Sequence, residues 1–128
     1  MLKKQIAFVF LLTLIFALSG CSPEQKTFEI LDAQKIVIIS VDGNKVEITD
    51  SNAVQQITDN FNSIQFEKGK SSKNENGFGP IIQWYDSSGN LIESISVMGE
   101  QTIIYDEYFW SAADGRIDME EFNELLEP

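Results

Sequence analysis

Three carboxylates near the C-terminus have the residue types and spacing of calcium ligands. Asp114, Asp118 and Glu121 lie in the stretch SAADGRIDMEEF, around Gly115. A helix-loop-helix calcium site places oxygen ligands at loop positions 1, 3, 5, 7, 9 and 12, with glycine at position 6. With Gly115 at position 6, the three carboxylates fall at positions 5, 9 and 12. The second half of this stretch therefore fits calcium binding.

The first half of the same stretch lacks the ligands that an EF-hand needs. The register puts Trp110 at position 1 and Ala112 at position 3, and neither side chain carries an oxygen. Helix initiation explains the acidic residues equally well, because Asp118 can cap a C-terminal helix and Glu121, three residues later, can complete a capping box. We interpret this EF-hand-like remnant as a helix start, and we predict no metal site and no cofactor.

The rest of the chain offers few residues for catalysis. The sequence has no histidine and one cysteine, so neither a Ser-His-Asp triad nor a histidine-bearing zinc site can be built. Carboxylate pairs carry little information in a chain with 20 acidic residues, because some pair always lies close together. We therefore predict that the protein is not an enzyme.

The single cysteine follows a segment typical of an export signal. Two lysines precede an apolar run over residues 6–18, which is too short for a stable membrane-spanning helix but suits a signal peptide. The run ends in a sequence that resembles a bacterial lipobox, formed by Leu18, Ser19, Gly20 and Cys21. The resemblance implies that a signal peptidase recognises the first three residues and that Cys21 becomes lipidated. The alternative is an ordinary secretory signal that happens to precede a cysteine.

These assignments divide the chain into a signal peptide (1–20), a lipidated cysteine with a short tether (21–27) and a single domain (28–128). The domain would be anchored in the cell membrane by lipid on Cys21, at the extracytoplasmic face. Loss of residues 1–20 leaves 7 basic and 20 acidic residues, a formal charge of −13. This charge argues against nucleic acid as a partner, and its repulsion from an anionic membrane predicts a domain that stands off from its anchor.

The hydrophobic pattern predicts the elements of the domain. The runs FEIL, KIVIISV and KVEIT read as strands, and Asp42-Gly43-Asn44 between the last two is a hairpin turn. An amphipathic helix follows, then strands in SIQFEK, GPIIQWYD, LIESISVM and TIIY, and a short C-terminal helix. We predict an α+β fold: an antiparallel sheet of about five or six strands, with a helix after the first hairpin, a C-terminal helix, and both helices on one face.

Two groups of residues could form a partner surface. Lys68, Lys70 and Lys73 make a locally positive patch, which belongs either to a binding loop or to an exposed strand connection. Aromatic residues favour protein recognition when exposed, although they could instead pack the C-terminal segment onto the sheet. The aromatic candidates are Trp84, Tyr85, Tyr105, Tyr108 and Trp110.

Together with the lipobox, the stretches DGNKVEITD, WYDSSGNLIESISV and YDEYFW resemble a group of small Gram-positive lipoproteins of unassigned function. The resemblance implies a membrane location and an α+β domain. We expect a non-catalytic interaction module whose partner is an envelope or secreted protein. Two alternatives remain open: an immunity or inhibitor lipoprotein that neutralises a basic toxin or enzyme, and a lipoprotein that binds a small ligand or cation.

Overall fold

The computed structural model describes residues 22–75 and 79–126, which form eight strands and two helices. The predicted signal peptide and the lipobox through Cys21 lie outside the described residues. The strands are β1 (Gln25–Thr27), β2 (Lys35–Ile39), β3 (Lys45–Ile48), β4 (Gln65–Ser71), β5 (Ile81–Tyr85), β6 (Leu91–Val97), β7 (Thr102–Tyr105) and β8 (Tyr108–Asp114). The helices are α1 (Ser51–Asn62) and α2 (Met119–Leu126).

All eight strands belong to one sheet, in the order β1-β4-β8-β7-β6-β5-β2-β3. Every neighbouring pair is antiparallel. The prediction of about five or six strands is therefore wrong, because the sheet is larger and the protein richer in β-structure. The two strands that the sequence patterns did not indicate are β1 and β8.

The sequence did not predict strand β8, because the turn between β7 and β8 lacks the residues that usually form a hairpin turn. Tyr105 pairs with Tyr108, so Asp106 and Glu107 alone connect β7 to β8. Their φ angles are +50° and +67°, the left-handed conformation that a two-residue hairpin turn requires and that normally calls for Asn-Gly or Gly. A turn of Asp-Glu gives no such signal in the sequence.

Strand β1 has no apolar residue and owes its existence to pairing with β4. The predicted strand FEIL is wrong, because residues 28–33 instead cross over the sheet as irregular chain. Phe28 and Ile30 in this segment are buried in the core. Their side chains pack as strand residues would, which is why the pattern was misleading.

The β2–β3 hairpin forms where the sequence predicted it, at the turn Asp42-Gly43-Asn44. Gly43 has a φ of +91°, and the main-chain N–H of Ser40 donates to Asn44 O at 2.9 Å. The Asp42 carboxylate accepts hydrogen bonds from the Ser40 hydroxyl and from the N–H of Asn44. These bonds, that of Ser40 above all, lower the pKa of Asp42.

Helix α1 covers one face of the sheet. Asp50 caps it by accepting from the Ala53 N–H at 3.0 Å, and Val54, Ile57 and Phe61 turn towards the core. The ring of Phe61 meets the ring of Trp84 edge to face, with centroids 5.1 Å apart. Core packing therefore joins α1 directly to β5.

Two asparagines near the C-terminal end of α1 form hydrogen bonds with two irregular segments, one before β2 and one between β8 and α2. Asn62 accepts from the Ile30 N–H and donates to the Ile30 carbonyl, both at 2.9 Å. Asn60 donates to the Arg116 carbonyl at 2.9 Å and accepts from the Asp118 N–H at 3.0 Å. Each amide thus replaces the main-chain partners that these segments lack outside a sheet.

A bulge changes which residues of β6 face the core. Trp84 pairs with Glu93 but the next residue, Tyr85, pairs with Leu91, so one extra residue lies in β6. Leu91 consequently leaves the core side and is 52% exposed, whereas Ile92 packs against the core. Strict alternation of side chains along β6 would have put Leu91 on the core face, together with Ile95 and Val97.

Candidate functional site

The three carboxylates of the EF-hand-like remnant, for which we predicted a helix start and no metal site, lie at the start of α2 and at the end of β8. Asp118 Oδ1 accepts from the Glu121 N–H at 3.2 Å, which is the hydrogen bond of a helix N-cap. The Asp118 N–H, which a reciprocal capping box would use, donates to Asn60 instead. Asp114 is exposed and pairs with Gln65 at the end of the sheet. Within the described residues, no three acidic or cysteine side chains are grouped as metal ligands.

The surroundings of Glu121 shift the pKa of its carboxyl group. Partial burial raises its pKa, and the negative charges of Asp118 and Glu124 raise it further. A carboxyl group with a raised folded pKa stabilises the fold in its protonated form, and that contribution is lost as pH rises through the folded pKa. At neutral pH the ionised Glu121 is therefore a cost to stability.

We expect the substitution Glu121→Gln to raise the melting temperature at pH 7 and to have no effect at pH 3. At the lower pH, Glu121 is protonated in both the folded and the unfolded chain, so the charge difference disappears. Thermal unfolding followed by circular dichroism at several pH values measures this. Glu120→Gln, at the exposed neighbouring position, is the matched control and should lack the pH-dependent gain. A lower melting temperature for Glu121→Gln at pH 7 would contradict the assignment.

The five predicted aromatic candidates do not share one surface. Trp84 is fully buried, and its indole N–H donates to the buried hydroxyl of Thr58 at 3.1 Å. Trp110 is buried as well, while Tyr105 and Tyr108 pack against the edge of the same core. Tyr85 alone points to the opposite face, because neighbouring residues of a strand alternate between faces. Core packing, one of the two alternatives for these residues, accounts for the two tryptophans.

The face of the sheet opposite the helices, here called the open face, carries a row of apolar residues. Each row member neighbours a core residue along its strand, as Ile104 follows the fully buried Ile103. Strand register places the members directly opposite one another across five adjacent strands. This apolar row consists of the apolar residues Ile39, Ile81, Ile104 and Phe109, with one polar residue, Ser96, between Ile81 and Ile104. Four spacings of about 4.8 Å make it about 19 Å long.

The apolar row is uncharged along its length and is bordered mostly by polar residues. On one side, Gln83 pairs with Ser94, and Val37, which also pairs with Gln83, is the one apolar residue of this border. On the other side, Thr102 pairs with Ser111. The row residues are partly exposed, and of the two helices neither covers this face, since α1 packs on the core side and Phe122 of α2 adjoins Phe61. An apolar centre with a polar border is the composition of a protein-binding surface.

The sequence-based predictions did not include the apolar row, although the sequence contains a signal for it. Ile38-Ile39, Ile81-Ile82 and Ile103-Ile104 are consecutive apolar pairs, which put apolar residues on both faces of a strand. What the sequence could not show is the register that aligns the outward member of each pair. Only the pairing of β2 with β5 and of β7 with its neighbours brings them into one row.

The predicted lysine patch is neutralised by ion pairs. Lys68 lies 3.2 Å from a Glu24 carboxylate oxygen, Lys70 3.0 Å from Glu75, and Lys73 3.3 Å from Glu107. The patch belongs to β4, which extends to Ser71, and to the turn that follows it. These exposed pairs contribute little stability, but they remove the local positive charge.

Fold and surface together define an α+β protein with two helices on one face of a single antiparallel sheet and an apolar row on the other. No protein-family model matches the chain, and neither a curated protein nor a solved structure matches it. Among the residues that the structure describes, no helix has the length and apolar character needed to cross a bilayer.

Proposed function

We propose that the protein is a lipid-anchored binding module on the extracytoplasmic face of the cell membrane, without catalytic activity, which engages an envelope or secreted protein through its open face. The apolar row is the observation that carries the proposal. Lipobox-like residues Leu18 to Cys21 support the anchor, and the absence of histidine from the sequence supports a non-catalytic role.

The chemistry of the open face indicates the kind of partner. Isoleucine and phenylalanine side chains form most of the row, so the partner would present an apolar strip of similar width. The chain carries a formal charge of −11, yet the row itself bears none. Binding would therefore depend on apolar burial, and it would resist salt because salt screens only charge interactions.

A substitution within the row tests this function. We expect Ile104→Lys, next to Phe109, to weaken partner capture about 30-fold, because loss of an anchoring apolar side chain costs about 2 kcal/mol. The tagged, lipidated protein would be purified from membranes of its own organism, in low and in high salt, and bound proteins quantified by mass spectrometry. Thermal unfolding of the variant would show that the fold is intact.

Leu31→Lys is the matched control, because Leu31 is 69% exposed but lies in the segment that crosses the helix-covered side. The same partner should be captured by this control and by the unsubstituted protein. Retention of the partner by Ile104→Lys would contradict the open-face assignment. Release of the partner by salt alone would favour the alternative function, in which the protein neutralises a basic toxin through its own acidic surface.

A further inference from the structure

The N-terminal segment joins the sheet within a few residues of the proposed lipid anchor. Glu24 is held at the edge of the sheet, since its carbonyl accepts from the Lys68 N–H at 2.8 Å and strand β1 begins at the next residue. Only Ser22 and Pro23 separate Glu24 from Cys21. An extended chain spans at most about 3.6 Å per residue, so Cys21 lies within about 11 Å of Glu24.

Because this connection is short, the lipid anchor must lie near one corner of the sheet, here called the tether corner. In an antiparallel sheet the N-terminal end of β1 lies beside the C-terminal end of β4, which in turn lies beside the start of β8. The turn after β4 is held to the same corner, because the Ser72 N–H donates to the Glu107 carbonyl at 2.9 Å. The tether corner comprises Glu24, Lys68–Glu75 and Asp106–Trp110.

The tether corner is nearly neutral in a strongly acidic protein. Of the four ion pairs among the described residues, three lie here, and the fourth joins Arg116 to Glu100 at the other end of the sheet. The charges of these three pairs cancel, so Asp106 alone leaves the tether corner with a formal charge of −1. An anionic lipid surface would repel this strongly acidic protein as a whole, but the nearly neutral corner would meet only weak repulsion.

Aromatic residues accompany these charges. The Lys68 ammonium lies 4.0 Å from the centre of the Tyr108 ring, and the Lys70 ammonium lies 5.6 Å from the Phe109 ring. Both rings are partly exposed. Tyrosine rings and long lysine side chains are stable at the level of lipid headgroups, where one end of each is apolar and the other is wet.

We propose that the tether corner rests on the lipid headgroups of the membrane, an arrangement that depends on the lipid anchor of the proposed function. Seven strand spacings of about 4.8 Å then place β3 about 34 Å across the sheet from β1. The charge of the chain led us to expect that the whole domain stands off from the membrane. In the arrangement proposed here, one corner touches the lipid, and only the acidic surface elsewhere points away from it. Phe109 lies where the tether corner meets the apolar row, and the rest of the row, from Ile104 to Ile39, remains accessible to the proposed partner.

Site-specific fluorescence quenching tests this orientation. In the mature lipidated protein the Cys21 sulfur is consumed, so a thiol-reactive fluorophore labels only an introduced cysteine. Asn74→Cys lies in the tether corner, and Val41→Cys lies in the β2–β3 turn, where Val41 is 68% exposed. Each variant would be reconstituted into vesicles of phosphatidylcholine and phosphatidylglycerol containing headgroup-nitroxide lipid. Quenching at residue 74 should exceed quenching at residue 41 several-fold.

Two outcomes would contradict different parts of the argument. Equal quenching at both positions, or stronger quenching at residue 41, in a protein whose mass includes diacylglycerol would overturn the orientation alone. A mature protein whose mass shows no lipid on Cys21 would remove the anchor, and with it both the orientation and the membrane part of the proposed function. Intact-mass measurement of each labelled sample therefore accompanies the quenching experiment.

Discussion

Truncation of Trp84 to alanine is expected to lower the free energy of unfolding by about 3 to 5 kcal/mol, the usual cost of removing a large buried aromatic side chain. Trp84 is fully buried on β5, an interior strand of the sheet, against Phe61 of α1. Its removal would leave a cavity between sheet and helix, and it would deprive the buried Thr58 hydroxyl of its indole donor. Urea unfolding of the purified protein, followed by far-ultraviolet circular dichroism, measures the change.

Two further substitutions separate cavity formation from hydrogen bonding. Trp84→Phe keeps an aromatic ring beside Phe61 but removes the indole N–H, so it should cost less than Trp84→Ala. Leu91→Ala is the control for a large apolar residue on the same sheet that is mostly exposed, and it should change stability by less than about 0.5 kcal/mol. If Trp84→Ala were as mild as Leu91→Ala, the packing of α1 on β5 described here would be wrong.

Replacement of Asn62 by alanine is expected to cost about 2 to 3 kcal/mol, because two main-chain groups of one buried residue lose their partners together. Ile30 is 3% exposed, so water cannot readily replace the amide at its N–H and carbonyl. Asn62→Asp keeps the acceptor for the N–H but sets a carboxylate oxygen against the carbonyl. We expect it to be at least as destabilising as alanine at neutral pH.

Asn52→Ala is the matched control, since Asn52 is an exposed residue in the first turn of the same helix. Both alanine variants replace an asparagine in α1, so differences in helix propensity largely cancel. Equilibrium unfolding in urea compares the two directly. A cost for Asn62→Ala no larger than that for Asn52→Ala would show that the segment over residues 28–33 does not depend on this clamp.

The two stabilising features also position the proposed binding surface. Trp84 and Asn62 hold α1 and the crossing segment on one face of the sheet, so in the described part of the chain neither of these elements covers the open face. Ile81 and Ile104 can line the open face because Ile82 and Ile103, next to them in sequence, fill the core behind. A stability loss at Trp84 would therefore weaken binding indirectly, whereas Ile104→Lys should weaken binding with the fold intact.

Local sequence was sufficient for elements whose signals lie within a few residues of each other. The turn Asp42-Gly43-Asn44 supplies a left-handed glycine and side-chain hydrogen bonds, and it forms the β2–β3 hairpin. Helix α1 has a capping aspartate and apolar residues on one side, and it begins directly after Asp50. These features depend on backbone preference and on contacts along one helix or one turn, which the sequence displays directly.

Features that depend on distant pairing were decided by the tertiary structure. Strand β1 has no hydrophobic signal, because β4 supplies the hydrogen bonds that make it a strand. The turn at Asp106 and Glu107 takes a left-handed conformation without glycine, held by the pairing of the strands on either side.

The candidate site shows the same limit. Sequence composition identified the acidic character and the single cysteine, and the lipobox resemblance follows from adjacent residues. The apolar row depends on the register of five strands, and the tether corner on which strand lies beside β1. Register and strand order arise from contacts between residues far apart in the chain, and such contacts leave no pattern within any one segment.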